Sequence, residues 1–129
     1  MNLRIMCKSK IHRATVTGAE LNYIGSIGID ANLLRHTDIR HGEQVCVWNV
    51  NNGERIETYA IELPAGSGQI VVNGAAARHF QRGDIVIIVA FCLTDEQVTP
   101  KMIAVDDRNR FLRQLSAVPG EEGGPATTG

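Results

Sequence analysis

The run Ile85-Val86-Ile87-Ile88-Val89-Ala90 sets six apolar residues in a row, five of them β-branched. Branching at Cβ stiffens the side chain and suits an extended backbone. A strand that is apolar on both faces must be covered on both, as in a barrel or in a sheet lying under other elements. The rest of the chain agrees with an extended fold. Short segments that alternate in polarity or carry β-branched runs lie at Ile11 to Thr17, Val45 to Val50, Arg55 to Ile61, Gln69 to Val72 and Met102 to Val105. Turn residues separate them: Asn52-Gly53, Gly66-Ser67-Gly68, Asn73-Gly74 and Gly83-Asp84. Asn52-Gly53 is read as a two-residue hairpin turn, because both residues tolerate positive φ.

Helix signals are few. Asp30 is placed to cap a short helix running through His36, Ala75 to Gln81 has room for one or two turns, and Arg108 to Leu115 reads as a surface helix. From Ser116 to Gly129 the chain lacks apolar anchors and is expected to be a disordered tail. The 129 residues allow one domain, placed at 1–115, and a core that needs no disulfide or metal. The coarse expectation is a mainly β, barrel-like domain with short helices.

Composition excludes several classes of function. The formal net charge is -1 with no block of like charges, so there is no basic face to coat phosphates and no nucleic acid partner is expected. No apolar run approaches the ~18–20 residues that span a bilayer, and the first residues carry no apolar signal core. Cys7, Cys46 and Cys92 are odd in number, widely spaced and without metal spacing, which reads as reduced thiols in a cytoplasmic protein. His12, His36, His41 and His79 also lack ligand spacing, so no metal is expected. Arg82-Gly83-Asp84 is read as a turn before the apolar strand rather than as an adhesion tripeptide.

Three constellations can carry chemistry. In Tyr23-Ile24-Gly25-Ser26 the bland account is a turn; the sharper one uses the absence of a Cβ at Gly25, which leaves its carbonyl open to attack by the Ser26 hydroxyl. The ester so formed can eliminate to dehydroalanine, and hydrolysis leaves a pyruvoyl group. In Arg55-Ile56-Glu57-Thr58-Tyr59, residues two apart share a strand face, so Arg55, Glu57 and Tyr59 point one way and Thr58 the other. The Arg55 fork suits a carboxylate, and Tyr59 is a candidate acid. Thr58 joins them only if the strand twists or bulges, or if sites form between subunits. In Val72-Asn73-Gly74-Ala75-Ala76-Ala77, small residues after a turn leave room for a ligand beside backbone N–H groups.

Taken in order, these blocks resemble the pyruvoyl-dependent aspartate 1-decarboxylase family. The shared pattern is Lys10-Ile11-His12-Arg13, Tyr23-x-Gly25-Ser26, Trp48-Asn49-Val50-x-Asn52-Gly53, Arg55-x-x-Thr58-Tyr59-Ala60-Ile61, Asn73-Gly74-Ala75-Ala76-Ala77 and Gly83 to Ile88, covering residues 3 to 91. The resemblance implies a double-ψ β-barrel, a homotetramer with sites between subunits, and decarboxylation of L-aspartate to β-alanine in pantothenate synthesis. It implies self-cleavage between Gly25 and Ser26 into a β chain, 1–25, and an α chain, 26–129, whose pyruvoyl group from Ser26 is the Schiff-base centre. It further implies Tyr59 as proton donor, Thr58 in substrate contact and processing, and Gly74, Ala75 and Ala76 binding substrate through backbone groups. Lys10 and Arg55 match positions near the substrate carboxylates, either being a candidate for the β-carboxylate. Tyr23, His12, Trp48, Asn73 and Ile87 match positions lining the pocket. Two rivals stand beside this reading: a non-catalytic binding module with an intact Gly25–Ser26 turn, and a pyruvoyl enzyme acting on another amino acid.

Overall fold

A computed structural model describes residues 1–22 and 25–116. Tyr23, Ile24 and the tail beyond Ser116, including most of the segment expected to be disordered, lie outside the described residues. Nine strands form one mixed sheet: β1 (Arg4–Thr15), β2 (Gly18–Glu20), β3 (Ser26–Asp30), β4 (Gln44–Asn49), β5 (Arg55–Leu63), β6 (Ile70–Asn73), β7 (Ile85–Thr94), β8 (Lys101–Val105) and β9 (Phe111–Leu115). Their order across the sheet is β2-β6-β3-β5-β4-β7-β1-β8-β9.

The sheet curls so that its two ends share one core. Ile27, Ile29 and Val72 from one end cluster with Ile11, Val86, Ile88 and Ile103 from the other, all fully enclosed. Hydrogen bonds tie the ends together as well: Thr17 N–H donates to the Ile70 carbonyl, and the Asn109 side-chain Nδ2 donates to both the Thr15 and Gly68 carbonyls. This closure makes the fold a β-barrel, and it answers the edge problem that an open sheet would face. The run at Ile85–Ala90 lies in β7, paired to β4 and β1, with Val86, Ile88 and Ala90 turned into the core and Val89 still only 2% exposed on the other face.

The helix expected after Asp30 is α1 (Ala31–Thr37), with the Asp30 carboxylate accepting the Asn32 N–H at 2.8 Å. The expected turns after Asn73 form a 3-10 helix over Gly74–His79. Two expectations are corrected. The Asn52-Gly53 turn is a four-residue loop: Asn49 and Glu54 are the bonded pair at its base, and Gly53 has positive φ while Asn52 does not. Asn49 makes the difference, since its Oδ1 accepts the Asn51 N–H and its Nδ2 bonds Asp84, which draws the loop out beyond two residues. Arg108 to Leu115 is no helix. Asn109 sits at φ 60, its side chain filled by Thr15 and Gly68, and Asp106 Oδ1 accepts the N–H groups of both Arg108 and Arg110. That turn reverses the chain, and Phe111–Leu115 pairs antiparallel to β8. A free strand edge on β8 outweighs the helix propensity of Leu, Arg and Gln.

Candidate active site

Ser26 is the first residue of β3 and is wholly enclosed, while the preceding Gly25 is exposed. β3 pairs with β6 on one side in a register that sets Ser26 opposite Asn73. Asn73 Nδ2 donates to Ser26 Oγ at 3.0 Å. An asparagine before a helical turn usually caps it, but this one makes no cap bond; its side chain is turned to the serine instead. The N–H groups at the start of the 3-10 helix are therefore not covered by the Asn73 side chain. Gly74 takes φ 68, a conformation that favours glycine, and Ala75 is exposed beside it. A Cβ built at Gly25 would come no nearer than 4.0 Å to another atom, the Asn73 carbonyl oxygen. The backbone here is open to close approach.

On its other side β3 runs parallel to β5, with Ile27 beside Ala60, so Ser26 lies alongside Tyr59. Tyr59 is 38% exposed. Thr58, opposite Val45, points to the other face of β5, as the alternation required. One strand spacing of about 4.8 Å separates the Ser26 and Tyr59 backbones. Ser26, Asn73, Gly74 and Tyr59 are thus brought together by β6, β3 and β5.

The remaining predicted residues lie together elsewhere. Cross-strand partners share a face, and two registers define the outer face of β5, β4, β7, β1 and β8. One reads Glu57–Cys46–Val89–Lys10–Met102; the other reads Arg55–Trp48–Ile87 and continues through His12 to Ala104. The Arg55 guanidinium sits over the Trp48 ring, 4.6 Å from its centre. Cys46, Trp48, Arg55, Ile56 and Glu57 line an open pocket of about 430 Å³. Burial pushes the Cys46 thiol up, and the Glu57 carboxylate adds to this. Lys10 and His12 share a side of β1, as their spacing predicts.

Between the two groups lies a gap. Arg55 is four residues from Tyr59 along β5, about 13 Å, and Lys10 is four strands from Ser26, about 19 Å along the sheet. On the convex side of a barrel, side chains diverge. Tyr23 lies outside the described residues. Among those residues no group of His, Cys, Asp or Glu could hold a metal ion, and no helix is long and apolar enough to cross a membrane.

Sequence reasoning had placed Asn73 only as a lining residue, without its bond to Ser26. It also missed β2, β3 and β9, the first half of β1, and the role of Asp30 beyond capping. The signal for Asp30 was present: a carboxylate followed 36 and 38 residues later by glycines at 66 and 68, whose N–H groups it accepts. The turns at Gly66-Ser67-Gly68 and Gly83-Asp84 behaved as read, with Gly66, Gly68 and Gly83 all at positive φ. His41 Nδ1 accepts the Glu62 N–H in a polar turn, and Gly83, at φ 95, turns the chain before β7.

A family model described as aspartate decarboxylase matches residues 1–112. The chain is similar to the aspartate 1-decarboxylase of Stenotrophomonas maltophilia (strain K279a), at 52% identity over 123 residues, which covers 92% of this chain and 97% of the relative. It is similar to that of Moorella thermoacetica at 56% identity over 112 residues, 84% of this chain and 88% of the relative. To the aspartate 1-decarboxylase of Herminiimonas arsenicoxydans the identity is 53% over 112 residues, 84% of this chain and 94% of the relative. With such a match along most of its length, this chain belongs to the aspartate decarboxylase family.

Proposed function

We propose that this chain is a self-cleaving decarboxylase that converts L-aspartate to β-alanine and CO2. The observation that carries the reading is the Ser26 hydroxyl, enclosed and held by Asn73 directly after an exposed glycine. Ser26 Oγ attacks the Gly25 carbonyl carbon. As the ester C–O bond forms, the peptide C–N bond breaks and the Ser26 nitrogen takes up a proton as a free amine. Loss of the Cα hydrogen then expels the Gly25 carboxylate and leaves a Cα–Cβ double bond. Water replaces the nitrogen, which departs as ammonia, and the chain from 26 to 129 begins with a pyruvoyl group. The enclosed hydroxyl, the amide donor on it and the open space at Gly25 all fit that group.

A pyruvoyl ketone supplies the electron sink that a carbon losing CO2 requires and that ordinary side chains lack. The protein's own residues do the rest. Tyr59, beside Ser26, delivers a proton to the substrate Cα. Gly74, Ala75 and Ala76 offer backbone groups to the substrate, and Thr58 assists both processing and binding. A cation, Lys10 or Arg55, holds the carboxylate that is retained, which leaves the other free to depart. Tyr23, His12, Trp48, Asn73 and Ile87 line the pocket. The family resemblance supports a site shared between copies in a homotetramer, with Lys10 four strands from Ser26 in the sheet order of one chain. The protein works in the cytoplasm, consistent with three free thiols, and feeds pantothenate synthesis.

The experiment is intact mass and a denaturing gel on fresh protein, with aspartate turnover alongside. Two fragments divided between 25 and 26 are expected, the larger refusing N-terminal sequencing for lack of an amine. Ser26→Ala should give one folded, inactive chain. Turnover by an uncut chain with an ordinary serine at 26 would sink the reading.

A further inference from the structure

Along β5, Arg55, Glu57 and Tyr59 share one face, and β4 sets Trp48, Cys46 and Gln44 opposite them in that order. The Arg55 and Glu57 backbones are about 6.6 Å apart, within reach of two long, oppositely charged side chains. They do not pair. The Arg55 guanidinium lies over the Trp48 ring, 4.6 Å from its centre. Glu57 Oε2 instead accepts the Gln44 Nε2–H at 2.9 Å. Neither ion pair found among the described residues, Lys8–Glu43 or His79–Glu54, engages Arg55 or Glu57. Both side chains border the same open pocket of about 430 Å³.

Arg55 presents a carboxylate with a planar fork only while the edge of its guanidinium is unoccupied. An indole ring takes the flat face of the cation and leaves the N–H edge open. A carboxylate takes the edge itself. Glu57 is therefore a built-in competitor for any carboxylate that Arg55 binds, and Gln44 draws it aside. Gln44 suits this task. It stands diagonal to Glu57 across the β4–β5 pair, and its amide donates without adding a charge.

We propose that Gln44 is a positioning residue, which binds the Glu57 carboxylate and so keeps the Arg55 fork open on its Trp48 shelf for a ligand carboxylate. The identity of that ligand rests on the decarboxylase reading: it is aspartate, held by the carboxylate it retains, with Arg55 as the cation. A cation over an exposed ring and an exposed ion pair are close in strength, so the loss of one hydrogen bond shifts the balance between them. The effect falls on substrate affinity and spares the chemical step.

The test compares wild type, Gln44→Leu, Glu57→Gln and the double variant, both positions being exposed. It reads KM and kcat for aspartate per cleaved chain, and acrylamide quenching of Trp48, the only tryptophan in the chain. Gln44→Leu should raise KM about two- to fivefold with kcat unchanged. Its Trp48 should be quenched more strongly, because Arg55 leaves the ring for Glu57. Adding Glu57→Gln should return both readings to wild type, since a neutral side chain does not compete for the fork. Glu57→Gln alone should not raise KM. The rescue separates this role from a disturbance of Tyr59, which faces Gln44 across the strands and would keep kcat low in the double variant. Unchanged quenching or unchanged KM in Gln44→Leu, or a rise that Glu57→Gln fails to reverse, overturns the proposal. A wild type and variants that show the quenching pattern yet leave aspartate untouched overturn the decarboxylase reading alone.

Discussion

Asp30→Ala should be among the most damaging single substitutions that leave every proposed active-site residue in place. The Asp30 carboxylate is 3% exposed and accepts three backbone N–H groups: Asn32 at 2.8 Å and Gly66 at 3.0 Å on Oδ1, and Gly68 at 2.8 Å on Oδ2. Removing it uncaps α1, at a cost of about 1 kcal/mol. The Gly66 amide is in an exposed loop and regains water. Gly68 is half-buried and held against the Arg108 carbonyl, so its unpaired N–H costs about 1–3 kcal/mol. The sum is about 2–4 kcal/mol. With a urea slope of about 1.5 kcal/mol per molar, the midpoint should fall by roughly 1.5–2.5 M. Asp30→Asn keeps the oxygen that caps α1 but turns an amide donor toward the Gly68 N–H, and it should lose about half as much. Both should be measured by circular dichroism at one fixed protein concentration, because association stabilises the native state. A midpoint within about 0.5 M of wild type for Asp30→Ala, or identical shifts for the two variants, would refute this division of the energy.

Tyr59→Phe should cleave between Gly25 and Ser26 at the wild-type rate on a gel, while aspartate turnover falls about a hundredfold or more for want of a positioned acid; equal turnover would remove Tyr59 from that role. Gly68→Ala should lower the thermal midpoint by several degrees, since the residue sits at φ 69 and a Cβ there would meet the Arg108 carbonyl oxygen at 2.7 Å; an unchanged scanning-calorimetry midpoint would show that the loop yields. The N–H groups of Arg110 and Arg108 hold the Asp106 carboxyl below the usual carboxylate range. A lowered folded value means that the stabilisation is complete above about pH 3.9 and is lost as the pH falls through the lower folded value. Asp106→Asn should accordingly be less stable than wild type in urea at pH 7, with the difference shrinking below about pH 4. A gap that widens in acid contradicts the assignment.

Much of the fold was legible from local pattern. The apolar run at Ile85–Ala90, the alternation at Arg55–Ile61 and the Asp30 cap are decided by neighbours a few residues away, and they appear where their pattern places them. The separate faces of Thr58 and Tyr59 follow from the two-residue period alone. Arg108–Leu115 failed because its propensity is local while its partners are not: Asn109 is filled by Thr15 and Gly68, and β9 is held by β8.

The chain's residue order alone therefore determined that the protein would be a β structure, since alternation and turn chemistry are properties of nearby residues. Only the folded chain decided what surrounds the Gly25–Ser26 bond. The Asn73 amide reaches Ser26 across 47 residues because β6 and β3 pair in one register. Strand order, which no local pattern encodes, also sets Lys10 on β1, beyond β4 and β7, while Arg55 stands four residues from Tyr59 on the same face of β5.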